Sequence, residues 1–211
     1  FTIGVGPSSS HTVGPMRAAA WFMEAASQLD GLAGVRCDLC GSLAATGKGH
    51  HTDKALILGF LGHQPETVPV DQIDALIEQV SSTKHLSSGL AFDPGKDLSF
   101  RRTKPLPRHP NGMHFQAFDS EGTILLEEIY YSLGGGFVCT EAQFDQPYQG
   151  GQSEIPFPYD SAEQLLEHTV RSGLSIAELT LANEARFRPE DETRQELDLI
   201  WQAMQDCVKR G

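Results

Sequence analysis

Near the start of the chain, Ser8, Ser9, Ser10 and Thr12 set hydroxyls around one imidazole, His11, in the run Gly4-Val5-Gly6-Pro7-Ser8-Ser9-Ser10-His11-Thr12-Val13-Gly14-Pro15. A second polar cluster, Gly47-Lys48-Gly49-His50-His51-Thr52-Asp53, adds a lysine and two further imidazoles. Imidazole is the side chain best suited to taking and giving protons near neutral pH. Hydroxyls and the unpaired amides of a helix start hold carboxylate or phosphate groups. Together these residue types could bind a small anionic substrate and move one of its protons. The same residues also form turns and helix caps for structural reasons. On the residues alone, both readings stay open.

Two further motifs test poorly. Lys48 between glycines invites a phosphate loop, but that motif needs four residues between its first Gly and Gly-Lys, then Ser or Thr. Here five residues separate Gly41 from Gly47, and Gly49 follows Lys48. Cys37 and Cys40 have C-x-x-C spacing, yet Val35 to Gly41 alternates like a strand, so the two sulfurs are expected on opposite faces. No second pair completes four metal ligands. Cys139 and Cys207 are likewise expected to be ordinary buried or half-buried thiols, and no metal site is expected in this segment.

Both polar clusters precede helices. Pro15–Leu29 has helical spacing, with Met16, Ala20 and Met23 on an apolar face and Trp21, Phe22 and Ala25 beside them. Gly14 is expected as its N-cap and Pro15 in its first turn. A strand from Val35 to about Cys40 leads through a flexible loop to a second helix, Asp53–Leu61. A third helix over 71–80, a short strand over 97–102 and a hairpin with arms 113–118 and 123–131 follow. Gly134-Gly135-Gly136 inside a strand implies a bulge or the close approach of another backbone or ligand. The irregular stretch 141–159, with Pro147, Gly150-Gly151, Pro156 and Pro158, is the expected boundary before three amphipathic helices. The fold class expected is an α/β (α+β) sandwich, a small mixed sheet with flanking helices over residues 1–155. Residues 156–211 are expected to be a linker and the first helices of an all-α domain.

Composition agrees with a folded protein: 211 residues, 39% of them apolar, and four cysteines, too few for a disulfide framework. A formal charge of −12 opposes a nucleic-acid-binding surface. No apolar run reaches membrane-spanning length and no targeting segment precedes the first cluster, so no membrane partner and a cytoplasmic location are expected. Phe1 and Gly211 read as cut ends of a longer chain.

Three motifs, Gly6-Pro7-Ser8-Ser9-Ser10-His11-Thr12-Val13-Gly14-Pro15, Gly47-Lys48-Gly49-His50-His51-Thr52-Asp53 and Tyr130-Tyr131-Ser132-Leu133-Gly134-Gly135-Gly136-Phe137, jointly resemble the iron–sulfur L-serine dehydratases (L-serine ammonia-lyases), in order and over essentially the whole chain. The resemblance implies a β region followed by entry into the α region of the same chain, and conversion of L-serine to pyruvate and ammonia. It implies a [4Fe-4S] cluster as Lewis acid, with cysteine ligands beyond Gly211, so that this segment alone would be inactive and colourless. By position in the family motifs, His50 is the α-proton base and His11 the runner-up or an orienting group. Ser8, Ser9, Ser10 and Thr12 would hold the substrate carboxylate or amine, with Lys48 and Thr52 in support. A homodimer is also implied. The family's β region resembles the allosteric substrate-binding domain of some phosphoglycerate dehydrogenases, which gives a second reading: a serine-binding, regulatory and dimerisation module without catalytic groups. A third is a metal-dependent hydrolase using His11, His50 and His51.

Overall fold

Alternating side chains make Gly34–Cys40 a strand, β1, and its two neighbours make it the pivot of a mixed sheet. The computed structural model describes residues 3–86, 89–146 and 155–210. The segment 147–154, with Pro147 and Gly150-Gly151 of the expected boundary, lies outside the described residues. The chain divides into two compact units, residues 1–146 and 147–211.

In the first unit, β2 (Leu98–Arg101), β3 (Gly112–Phe118), β4 (Ile124–Gly134) and β5 (Phe137–Thr140) join β1 in the order β2-β1-β3-β4-β5. β1 and β2 run parallel, and every other pairing is antiparallel. The register sets Cys37 opposite Phe115 and Met113 opposite Tyr130, so one face carries Val35, Cys37, Leu39, Met113, Phe115, Ala117 and Tyr130. Helices α1 (Gly14–Ala26) and α3 (Thr52–Phe60) cover that face with Ala18, Ala19, Phe22, Ala26, Leu56, Ile57 and Phe60. Phe22 stacks on Phe115 at 5.2 Å and Phe60 meets it edge-on at 5.8 Å. Each such ring contributes about 1.5–3 kcal/mol by leaving water. At Gly59 an added Cβ would lie 2.3 Å from the Met16 carbonyl oxygen, so only a bare backbone lets α1 and α3 touch there. That contact fixes the two helices whose N-terminal ends carry the polar clusters.

The opposite face of the sheet is polar. Arg101 Nε pairs with Asp38 at 2.6 Å and His114 Nε2 with Glu127 at 2.8 Å. Cys37 belongs to the apolar core and Cys40 is buried outside it, as strand alternation requires. Burial pushes both thiols up, with the Asp38 carboxylate adding to the shift.

Several expectations need correction. Trp21 and Ala25 are solvent-exposed, because the buried stripe of α1 runs through Ala18, Ala19, Phe22 and Ala26, one step around the helix from them. Residues 41–46 are not loop but a short helix, α2 (Gly41–Thr46), with Leu43 and Ala44 buried beneath it. The third long helix, α4 (Ile73–Thr83), starts after a 3-10 turn at Val70–Gln72, and a four-residue helix, α5 (Pro94–Asp97), precedes β2.

The second unit contains α6 (Ala162–Ser172), α7 (Ile176–Glu184) and α8 (Glu190–Arg210). The Ser175 hydroxyl and the Glu178 carboxylate form the expected capping box. Asn183 clamps Phe157, accepting from its amide and donating to its carbonyl, both at 2.9 Å. On α8, Leu197, Trp201, Met204 and Val208 are exposed. Cys207 is exposed too, against expectation, because α8 leaves most of its circumference in solvent. Among the described residues, no helix is long and apolar enough to cross a membrane.

Candidate active site

The first polar cluster is wound into a helix. Ser8 has extended backbone (φ −145°, ψ 127°) and its side-chain oxygen accepts the His11 amide at 3.2 Å, the geometry of an N-cap. Ser9–Val13 form a π-helical turn, and Val13 and Gly14 keep helical dihedrals, so the helix runs unbroken into α1. The cap is therefore Ser8 rather than Gly14, which has no side chain to offer an amide. This moves the positive end of the helix dipole to Ser9 and Ser10, whose amides stand in the first turn, where intrahelical acceptors are lacking.

The second cluster follows α2. Thr52 N–H donates to the Gly47 carbonyl at 2.8 Å, closing the loop, and His51 adopts the left-handed conformation (φ 57°) immediately before α3. For a residue with a side chain that conformation is strained. His51 is exposed, while His50 turns inward, half-buried. His50 Nδ1 lies 3.0 Å from the Thr46 carbonyl oxygen. A carbonyl only accepts, so the neutral ring carries its proton on Nδ1 and leaves the Nε2 lone pair available.

Two buried threonines lock the loops together. Thr12 Oγ1 donates to the His50 carbonyl at 2.9 Å, and Thr52 Oγ1 donates to the His11 carbonyl at 2.5 Å. A regular α-helix would give the His11 carbonyl the amide of residue 15, but Pro15 has none, and Thr52 supplies the donor instead. The exchange brings the His11 and His50 rings to 4.9 Å between centroids, tilted by 41°. Replacing the fully buried Thr52 by isosteric valine strands that carbonyl, so Thr52→Val is expected to cost about 1–3 kcal/mol in urea unfolding.

His11 is held on both sides. Its Nδ1 lies 2.9 Å from Ser10 Oγ, and its Nε2 lies 3.1 Å from Ser42 Oγ, at the start of α2. Burial, then the neighbouring His50, lowers the His11 pKa, and an interaction with the Ser42 backbone opposes the shift. Ser9 Oγ accepts the Gly135 amide at 3.2 Å, and Arg17 donates to the Gly136 carbonyl while pairing with Glu66. Gly134, Gly135 and Gly136 all have positive φ: rather than lying inside one strand, as expected, they end β4 and turn the chain into β5, with the expected bulge between Ser132 and Gly134. Lys48 does not join the cluster of side chains: its ammonium lies over the Phe100 ring, 5.4 Å from the centroid.

The sequence-predicted residues thus meet in one place, except Lys48. Ser42 and Arg17 are the additions. Ser42 could have been suspected as the first polar side chain after a strand end in a strand–loop–helix unit, whereas nothing in the spacing marks Arg17. A [4Fe-4S] cluster does not fit this chain's donor set. Cys37 is locked in the apolar core, Cys40 lies on the other sheet face, and no group of three or more His, Cys, Asp or Glu among the described residues could hold a metal ion.

Two polar loops are thus locked across neighbouring helix starts, with a histidine from each. The chain belongs to the serine dehydratase beta chain family, whose model matches residues 1–143. It is 44% identical to an L-serine dehydratase of Streptomyces coelicolor, covering 100% of this chain and 48% of that protein. It is 41% identical to an L-serine dehydratase of Mycobacterium tuberculosis, covering 100% of this chain and 47% of the relative. L-serine dehydratase 1 of Escherichia coli is 37% identical, with 100% and 48% coverage. The chain therefore spans about half the length of the curated relatives it matches.

Proposed function

We propose that this chain supplies the proton-abstracting and substrate-binding half of an L-serine dehydratase, which deaminates L-serine to pyruvate and ammonia. The observation that carries this reading is the His50 ring, whose Nδ1 proton is committed to Thr46 while Nε2 is left as a base beside His11. In the proposed step, Nε2 takes the α-proton, the electron pair forms the Cα–Cβ double bond, and the β-hydroxyl leaves. The aminoacrylate released becomes an imine and hydrolyses to pyruvate and ammonia. The Ser9 and Ser10 amides and the Ser10 hydroxyl suit the substrate carboxylate, which gains negative charge as the proton departs. Ser8, Thr12 and Thr52 act here by holding the loops, since their oxygens are engaged with backbone groups. Lys48, exposed over Phe100, is the weakest member of the proposed set.

Activation of the leaving hydroxyl falls to the portion of the relatives that this chain does not span, which is also where the iron–sulfur ligands are proposed. The test is a coupled assay of pyruvate and ammonia on the full-length protein and on the 211-residue chain, both prepared without oxygen. Equimolar pyruvate and ammonia from L-serine by the full-length protein alone is expected. Absence of both products from the full-length protein would overturn the reading.

A further inference from the structure

The His11 ring is the one imidazole of the site with a hydroxyl at each nitrogen, Ser10 at 2.9 Å and Ser42 at 3.1 Å. Its partner His50 is fixed by a carbonyl, which accepts only and dictates a single neutral tautomer. Hydroxyls do not dictate: each can give or take a proton, so the Ser10–His11–Ser42 chain can run in either direction. What the two serines do fix is the ring plane. Ser10 is adjacent in sequence and turns with the His11 backbone. Ser42 comes from a different element: it is the second residue of α2, just after β1, and its amide is anchored on the Pro110 carbonyl at 2.8 Å. Only Ser42 ties the ring to the sheet.

We propose that Ser42 is a positioning residue, which fixes the plane of the His11 imidazole and holds its face against His50. The inference deepens, and its catalytic arm rests on, the dehydratase reading above. The titratable side chain facing the ring is His50, across 4.9 Å. With His11 kept neutral and in plane, the pair presents one free lone pair, on His50, instead of two competing bases. Losing the Ser42 hydroxyl removes the side-chain contact that ties the ring to the sheet. The freed ring is able to turn away from His50.

Two readouts test this, using Ser42→Ala and the hydroxyl-retaining Ser42→Thr. The first is ring-nitrogen NMR of the 211-residue chain labelled with 15N-histidine. The His11 Nδ1/Nε2 tautomer ratio is expected to change in Ser42→Ala, where the Nε2 partner is lost, and to return toward wild type in Ser42→Thr. The second is the separation of kcat from KM in L-serine turnover by the full-length protein. Ser42→Ala is expected to lower kcat about tenfold to a hundredfold and leave KM nearly unchanged, with kcat recovering in Ser42→Thr. Unchanged His11 ring-nitrogen shifts and tautomer ratio in a folded Ser42→Ala chain would overturn the proposal. If instead His11 responds as expected but the full-length protein never acts on L-serine, the positioning stands and the dehydratase reading fails.

Discussion

His50→Asn in the full-length protein is expected to lower kcat for pyruvate formation by about 10²–10⁴-fold, the usual worth of a positioned general base. Asparagine is chosen because its side-chain amide nitrogen can take the place of Nδ1 and keep the donation to the Thr46 carbonyl, seen here at 3.0 Å. What it removes is Nε2. The loop should stay closed, since its closure depends on Thr52 N–H to Gly47 and on Thr12 to the His50 carbonyl, both independent of the His50 ring. Thermal unfolding should therefore shift little. His11→Asn is the informative comparison: it can keep the Ser10 contact but loses the Ser42 contact, and on this reading it should reduce turnover less than His50→Asn. Reversal of that order would make His11 the base. Near-normal turnover in both variants would mean that the proton is taken by a group outside this chain.

Much of the fold was legible because it rests on local periodicity. The β1 alternation, the 113–118 and 124–134 hairpin, and the capping box at Ser175 and Glu178 are all patterns of neighbours in sequence. The errors came where a cap outside the apolar pattern or burial in the tertiary fold decided. Gly14 and Pro15 look like a helix start, but the Ser8 hydroxyl caps a turn earlier, and the chain stays helical through Val13 and Gly14. Residues 41–46 look like a glycine-flanked loop, yet burial of Leu43 and Ala44 winds them into α2. Trp21 has helical spacing with the core but falls just past the buried stripe. The site followed the same division. Its serines and histidines were visible as residue types, whereas the Thr12 and Thr52 bonds join positions 38 and 41 apart and could be read only from coordinates. Ser42 became identifiable only once its hydroxyl was seen against His11.

The tightest joint between site and scaffold lies at Gly14, and it sets the second large expected effect. A Cβ at Gly14 would stand 2.1 Å from Ser132 Oγ and 2.8 Å from Ser132 Cβ. Ser132 is fully buried and cannot retreat easily: its amide donates to the Asn111 carbonyl at 3.0 Å, and its carbonyl accepts from Asn111 Nδ2 at 3.2 Å. The helix is tethered too, through Ser9 to Gly135 and Arg17 to Gly136. Gly14→Ala gains about 1 kcal/mol of helix propensity, but overpacking a fixed site costs about 1–3 kcal/mol, and a 2.1 Å approach belongs at the upper end of that range. A net loss of stability is expected in urea unfolding. Turnover should fall with it, because the helix can yield only by lifting Ser9, Ser10 and His11 off the sheet. Ser132 Oγ has no hydrogen-bond partner, so Ser132→Ala alone should be neutral or slightly stabilising. Ser132→Gly removes the obstructing Cβ as well, and the Gly14→Ala/Ser132→Gly pair should recover most of what Gly14→Ala loses. That recovery would appear as a coupling energy in the double-mutant cycle. If Gly14→Ala is as stable as wild type, or the two changes simply add, the helix start is not seated on β4 as described, and the fixed distance between the Ser9–His11 turn and the Gly134–Gly136 turn goes with it.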